Sequence, residues 1–175
     1  MNRRAGPLLS FPSMALIAVV ALLGVFVSWP TARYSYDAVA YAALIHRALY
    51  NGATHVLGHQ YHMLYMPSGY LVGRAVMAAG VVVHVLAMMQ VVNAVVTAAY
   101  LLVFALLVQR ISSRAGLSLA LTALLATTFA VWYYATDPEV YPPSILFLLL
   151  CYAVAWRALE TGGAGASAAA GARGG

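Results

Sequence analysis

Residues 81–108 read VVVHVLAMMQVVNAVVTAAYLLVFALLV, a run without a charged side chain, closed by Gln109 and Arg110. An α-helix rises ~1.5 Å per residue, so ~20 apolar residues cross the ~30 Å hydrocarbon core of a bilayer. The run is long enough to hold a membrane-spanning helix, and that reading sets the fold class. His84 stands near its start and reads as an isolated interfacial polar group. Gln90 and Asn93, three residues apart, fall on one helical face. Their expected use is hydrogen bonding between helices.

The rest of the chain agrees. It is 64% hydrophobic and only 7% charged, against ~25% charged in a soluble domain, and its mean hydropathy is +0.87. The net charge of +5 comes from nine basic residues, all arginine. They stand singly at the ends of apolar runs rather than clustering with stacking aromatics, which excludes a nucleic-acid partner and points to topology signals. A lone cysteine, Cys151, excludes an internal disulfide or a Cys-x-x-Cys site, and is expected to be a small buried hydrophobe.

Three further spans are expected. The first is Phe11 to Trp29, behind Arg3 and Arg4. It resembles a secretory signal, but its length and the poor cleavage site at Trp29-Pro30-Thr31-Ala32 favour a retained helix. Another runs from about Leu117 to Tyr134 after Arg114, joined to the preceding span by so short a loop that the two should pack antiparallel. The last runs from Ser144 to Trp156 and Arg157, entered through Pro142 and Pro143, which the first turn of a helix tolerates. With the N-terminus cytoplasmic, Arg3, Arg4, Arg110, Arg114, Arg157 and Arg173 lie inside, while Arg33, Arg47 and Arg74 lie outside. The positive-inside rule therefore favours both termini in the cytoplasm. Asp37, Asp137 and Glu139 then share the outer face, and only Glu160 stays inside.

The long outer segment from Pro30 to about Gly80 should hold interfacial helices. Tyr36 to Tyr50 has helical spacing, with Val39, Ala43 and Leu44 apolar and His46 and Arg47 polar, and Asn51-Gly52 should stop it. Gly69 to Ala79 fits a second short helix. Residues 161–175 (TGGAGASAAAGARGG) form a Gly/Ala-rich tract expected to be a flexible tail behind a membrane module of residues 1–160.

Three constellations can carry chemistry. In Tyr34-Ser35-Tyr36-Asp37 the aspartate either caps the next helix or, at the edge of a low-dielectric slab, takes a proton from an acceptor hydroxyl, with Arg33 or Arg74 holding it ionised. In Thr136-Asp137-Pro138-Glu139-Val140-Tyr141-Pro142 the acids match a helix start or a second functional pair at the membrane boundary. In HVLGHQYHMLYMPSGY, His55, His59 and His62 would share a face of a continuous helix, as a metal site requires, but Gly58 and Pro67 argue against regular helix. Binding of an anionic headgroup is the competing use. No phosphate-cradling Gly-rich loop, His-Glu-x-x-His or Gly-x-Ser-x-Gly is present.

Taken in order, these pieces resemble the GT-C membrane glycosyltransferases, nearest to bacterial members akin to the protein O-mannosyltransferase group. The resemblance rests on an Asp in a Tyr-rich start to a long outer segment, on HQYHMLYMPSGYL and on PEVYPPSILFLLL, and covers about Ser28 to Leu159. It implies sugar transfer from a polyprenyl-phosphate carrier at the outer face of a bacterial inner membrane. Asp37 would serve as base, and Glu139, with Asp137 as its alternative, would bind acceptor, donor phosphate or a divalent cation. Arg33, Arg74, His59, His62 and Tyr141 would form the substrate surroundings. Full family members have many more spans, and Gln60 follows His59 where the family often has proline, so the chain corresponds to the N-terminal portion of such an enzyme. The fold expectation is thus an all-α integral membrane protein of about four transmembrane helices, with one or two interfacial helices in the outer loop. The competing functions are a non-catalytic assembly or transport subunit, in which the acids are only caps, and a His-ligated metal or haem protein.

Overall fold

The computed structural model describes residues 10–58 and 64–171, with side chains described through Thr161. Every regular element among them is helical: α1 (Phe11–Ser28), α2 (Tyr36–Asn51), a 3-10 turn (Thr54–Leu57), α3 (Tyr65–Ala78), α4 (Val85–Ser112), α5 (Ala115–Ala126), α6 (Phe129–Thr136) and α7 (Tyr141–Gly171).

Helix α4 is the axis of the fold and packs against every other α-helix. It buries one broad face along its length, including Met89, Asn93, Thr97 and Leu101, while Val91 and Val95 on the other face are exposed. Small side chains at Ala94 and Ala98 let it approach Val19 and Phe26 of α1 and Ala126, Val131 and Ala135 of α5 and α6. At the antiparallel α4–α5 turn, the Ser118 hydroxyl donates to the Ala105 carbonyl at 2.6 Å.

Three helices are long and apolar enough to cross a membrane: α1, α4, and α7 over Tyr141–Thr161, with mean hydropathies of 2.3, 2.5 and 1.5. The expected span from Leu117 to Tyr134 is corrected to two helices, α5 and α6, which meet at a bend of 65° and make a fourth crossing only if taken together. Two threonines cause the break. The Thr127 and Thr128 hydroxyls donate back to carbonyls of the preceding turn, competing with the backbone ladder. Thr128 then caps α6 by accepting the Val131 N–H.

Helix α7 continues through Gly171, where a flexible tail had been expected from residue 161. The tract contains several alanines, the residues most favourable to helix. Because α7 lies at the edge of the bundle, Cys151 is exposed on its outer surface rather than buried.

Helices α2 and α3 form a hairpin laid on the start of α4. The face α2 buries is Ala38, Tyr41, Ala42, Ile45 and Ala48, an i, i+3, i+4, i+7 stripe. This corrects the expected apolar face, since Val39 is 51% exposed and Ala43 is exposed as well. The period was right and the phase was shifted: Tyr41 and Ile45 between three alanines line the contact, with Leu44 partly buried at its margin. Gly69 permits the close approach of α3: a Cβ there would stand 2.7 Å from Met89 Sδ and 2.8 Å from Ile45 Cδ1. Gly52 ends α2 in the left-handed region at φ +69°, as the Asn-Gly signal implied. Replacing Gly52 with Ala should lower stability by about 1 kcal/mol, read as a lower thermal midpoint in detergent. Gly58→Ala, at φ −82° in open space, should leave the midpoint unchanged.

Candidate functional site

At the end of the bundle where α4 and α7 begin, the two acidic stretches meet. Asp37 is exposed in the first turn of α2. It is not the cap: Ser35 is, accepting the Ala38 N–H on its hydroxyl at 3.0 Å. Asp137 and Glu139 occupy the loop between α6 and α7, at 0% and 6% exposure. The Asp137 carboxylate Oδ2 accepts the Ser35 N–H at 3.1 Å, joining segments 102 residues apart. The Ser35 side chain lies near enough to the Glu139 carboxylate to favour its charge, and that carboxylate also feels the charge of both Asp137 and Asp37. Asp137 Oδ1 is buried with no hydrogen-bond partner, an arrangement costing ~1–3 kcal/mol unless a donor reaches it.

The floor of this site is built by the two amides of α4. Gln90 donates through Nε2 to the Thr31 carbonyl at 3.0 Å and the Thr136 carbonyl at 2.8 Å. Asn93 donates through Nδ2 to the carbonyls of Asp137 at 2.7 Å and Glu139 at 2.8 Å. Its Oδ1 accepts the Tyr65 hydroxyl at 3.1 Å. These amides do bridge elements, but their main partners are loop carbonyls rather than side chains of other spans. They fix the α1–α2 and α6–α7 loops against one another, which sets where the acids stand.

Burial pushes the Glu139 carboxyl above its ordinary value, and the like charges of Asp137 and Asp37 add to the shift. The Ser35 side chain and the Val140 backbone oppose it. Burial, with Asp37 and Glu139 adding to it, pushes the Tyr41 phenol up to about 12. Tyr65 is also pushed upward, first by burial and then by Glu139. Both phenols therefore stay protonated at neutral pH and can act as hydroxyl donors beside the acids. Their rings meet edge to face with centroids 5.4 Å apart.

A carboxyl whose folded value is raised favours its protonated form, so its ionisation costs stability. That cost is absent below the unfolded value near 4.5 and grows as pH rises through the folded value. Glu139→Gln should therefore gain stability relative to the parent as pH rises above 4.5, measured as the difference in thermal midpoint across a pH series in detergent.

The remaining candidates are spread more widely. Tyr141 opens α7 at 50% exposure, its ring 4.5 Å from that of Tyr134. It belongs at the mouth of the site. Arg33 is exposed, its backbone tied to the Thr31 hydroxyl. Arg74 is exposed on α3, donating to the Tyr70 hydroxyl at 3.1 Å. Among the described residues neither arginine forms an ion pair with the three acids. His59 and His62 lie outside the described residues. His55 and His84 are exposed, and His46 packs on Tyr50 with ring centroids 4.6 Å apart. Among the described residues no group of three or more His, Cys, Asp or Glu is placed to hold a metal ion. Sequence reasoning did not single out Ser35, Tyr41 and Tyr65 as parts of the site. For Ser35 the available signal was its position just before a helix-forming run, which is that of an N-cap.

Comparison of the chain with protein-family models, with curated proteins and with solved structures gives no match.

Proposed function

We propose that the chain is a glycosyltransferase module of GT-C type, corresponding to the N-terminal portion of such an enzyme. In this reading it lies in a bacterial inner membrane with its N-terminus cytoplasmic, and moves a sugar from a polyprenyl-phosphate carrier to an acceptor at the outer face. The observation that carries the reading is the convergence of Asp37 and Glu139, from loops about a hundred residues apart, at one end of an apolar helical bundle.

The two acids divide the work by their surroundings. Asp37, exposed in the first turn of α2, is open to an acceptor hydroxyl and takes its proton as the oxygen attacks the anomeric carbon. The bond from that carbon to the phosphate oxygen breaks, and polyprenyl phosphate leaves with the electron pair. Glu139, with its raised proton affinity, hydrogen-bonds the acceptor or the departing phosphate. Asp137 is wholly buried and engaged by Ser35, so its part is to hold the two loops together. Tyr41 and Tyr65 contribute hydroxyl groups, and Tyr141 an aromatic edge for the sugar. Cationic side chains near the mouth, for which Arg33 and Arg74 are the candidates, offset the charge on the departing phosphate.

The test supplies membranes containing the chain with radiolabelled sugar on polyprenyl phosphate. Chain-dependent release of polyprenyl phosphate, with label passing to acceptor or water, is expected. A carrier left intact by folded protein, across hexose and pentose donors, would overturn the reading.

A further inference from the structure

At the opposite end of the bundle from the acids, α4 and α7 diverge to leave a crevice of about 350 Å³. Its walls are aliphatic, including Leu106 and Leu107 of α4 and Leu150 and Val154 of α7, and it is lined at one end by Arg110 and Arg157. The two helices run parallel, so both arginines reach the same depth. Arg110 is paired with Glu160 across the helices, and Glu160 also accepts the Trp156 indole N–H at 2.8 Å. The Arg157 guanidinium has no hydrogen-bond or ion-pair partner among the described residues. Two arginines against one glutamate leave this end of the crevice positive, directly above an acyl-compatible wall.

We propose that this crevice binds an anionic phospholipid from the surrounding leaflet, with its headgroup phosphate on Arg157 and Arg110 and one acyl chain along the aliphatic wall. Charge complementarity and shape together select this occupant. In a bilayer the wall offers little net drive for a chain already in hydrocarbon, so selection among lipids falls to the headgroup. A bidentate guanidinium suits a phosphate. Neutral zwitterionic lipids present the same phosphate with a compensating cation, which the net positive charge disfavours. Glu160 competes with the phosphate for Arg110 and so limits affinity. It also gives the site a substitution that should strengthen it.

The experiment is native mass spectrometry of the purified chain, released from micelles doped with equimolar phosphatidylglycerol and phosphatidylcholine of matched acyl chains. Phosphatidylglycerol should be retained roughly fivefold over phosphatidylcholine, the scale of one basic residue near an anionic surface. Arg157→Gln should reduce that ratio toward unity, and Glu160→Gln should raise it. Leu106→Trp, which fills the crevice, should remove bound lipid of both kinds. Equal retention of the two lipids, or a ratio unmoved by Arg157→Gln in protein with parental thermal stability, would overturn the proposal. Cross-linking of Leu106→Cys to a second copy in place of bound lipid, in a Cys151→Ser background, would overturn it too.

Discussion

Asp37→Asn is expected to lower sugar transfer by roughly a hundredfold or more, the usual scale for removing a positioned general base, while leaving the thermal midpoint unchanged. The side chain is exposed and the helix cap belongs to Ser35, so little structure depends on the carboxylate. Asp137→Asn should behave in the opposite way. It weakens a charge-assisted acceptor for the Ser35 N–H in a fully buried setting, which costs stability first and activity through it. Steady-state transfer from the lipid carrier and thermal unfolding, measured on both variants, separate the two roles. If Asp37→Asn retains full turnover, the base assignment is wrong.

Asn93→Leu should be the most destabilising single change in the chain, by about 3 kcal/mol or more. The residue is wholly buried. Its removal leaves the carbonyls of Asp137 and Glu139 and the hydroxyl of Tyr65 without their partner. Leucine has the same number and branching of side-chain heavy atoms, so the loss reflects unpaired polar groups and not a cavity. Denaturant or thermal unfolding in detergent measures it, and Val95→Leu, on the exposed side of the same helix at 48% exposure, is the control expected to be silent.

The all-helical class and its long apolar helices were readable because composition and run length depend on no tertiary contact. The extents of α1 and α2 followed from the apolar run and from the Asn-Gly stop, while α4 continues past the expected close at Gln109 and Arg110 to Ser112. The break between α5 and α6 was not visible, because a Thr-Thr pair inside an apolar run is tolerated in a straight helix. Here its hydroxyls turn to local carbonyls, which hydropathy does not register. The phase of α2 was misread for a related reason. Val39, Ala43 and Leu44 were read as its apolar face, whereas the contact with α3 and α4 is made by Ala38, Tyr41, Ala42, Ile45 and Ala48, and which face meets a partner is set by that partner. At the site, both acidic stretches stood out as charges in a nearly uncharged chain. Gln90 and Asn93 were identified as bridging amides, but nothing local to them indicates that their partners are the carbonyls beneath the acids. Those pairings span 46 and 44 residues for Gln90–Thr136 and Asn93–Asp137, and only the folded chain brings them together.

The whole account depends on the start of α2 and the loop before α7 being neighbours on one side of the bilayer. Paired cysteines at Ser35 and Glu139, in a Cys151→Ser background, test this directly with a short bifunctional thiol reagent on protein in membranes. Mass spectrometry should find a single linked peptide joining the two positions, and an impermeant thiol reagent should reach single cysteines at the exposed Asp37 and Tyr141 from the same side. Singly modified thiols without a link, or accessibility from opposite sides, would contradict it.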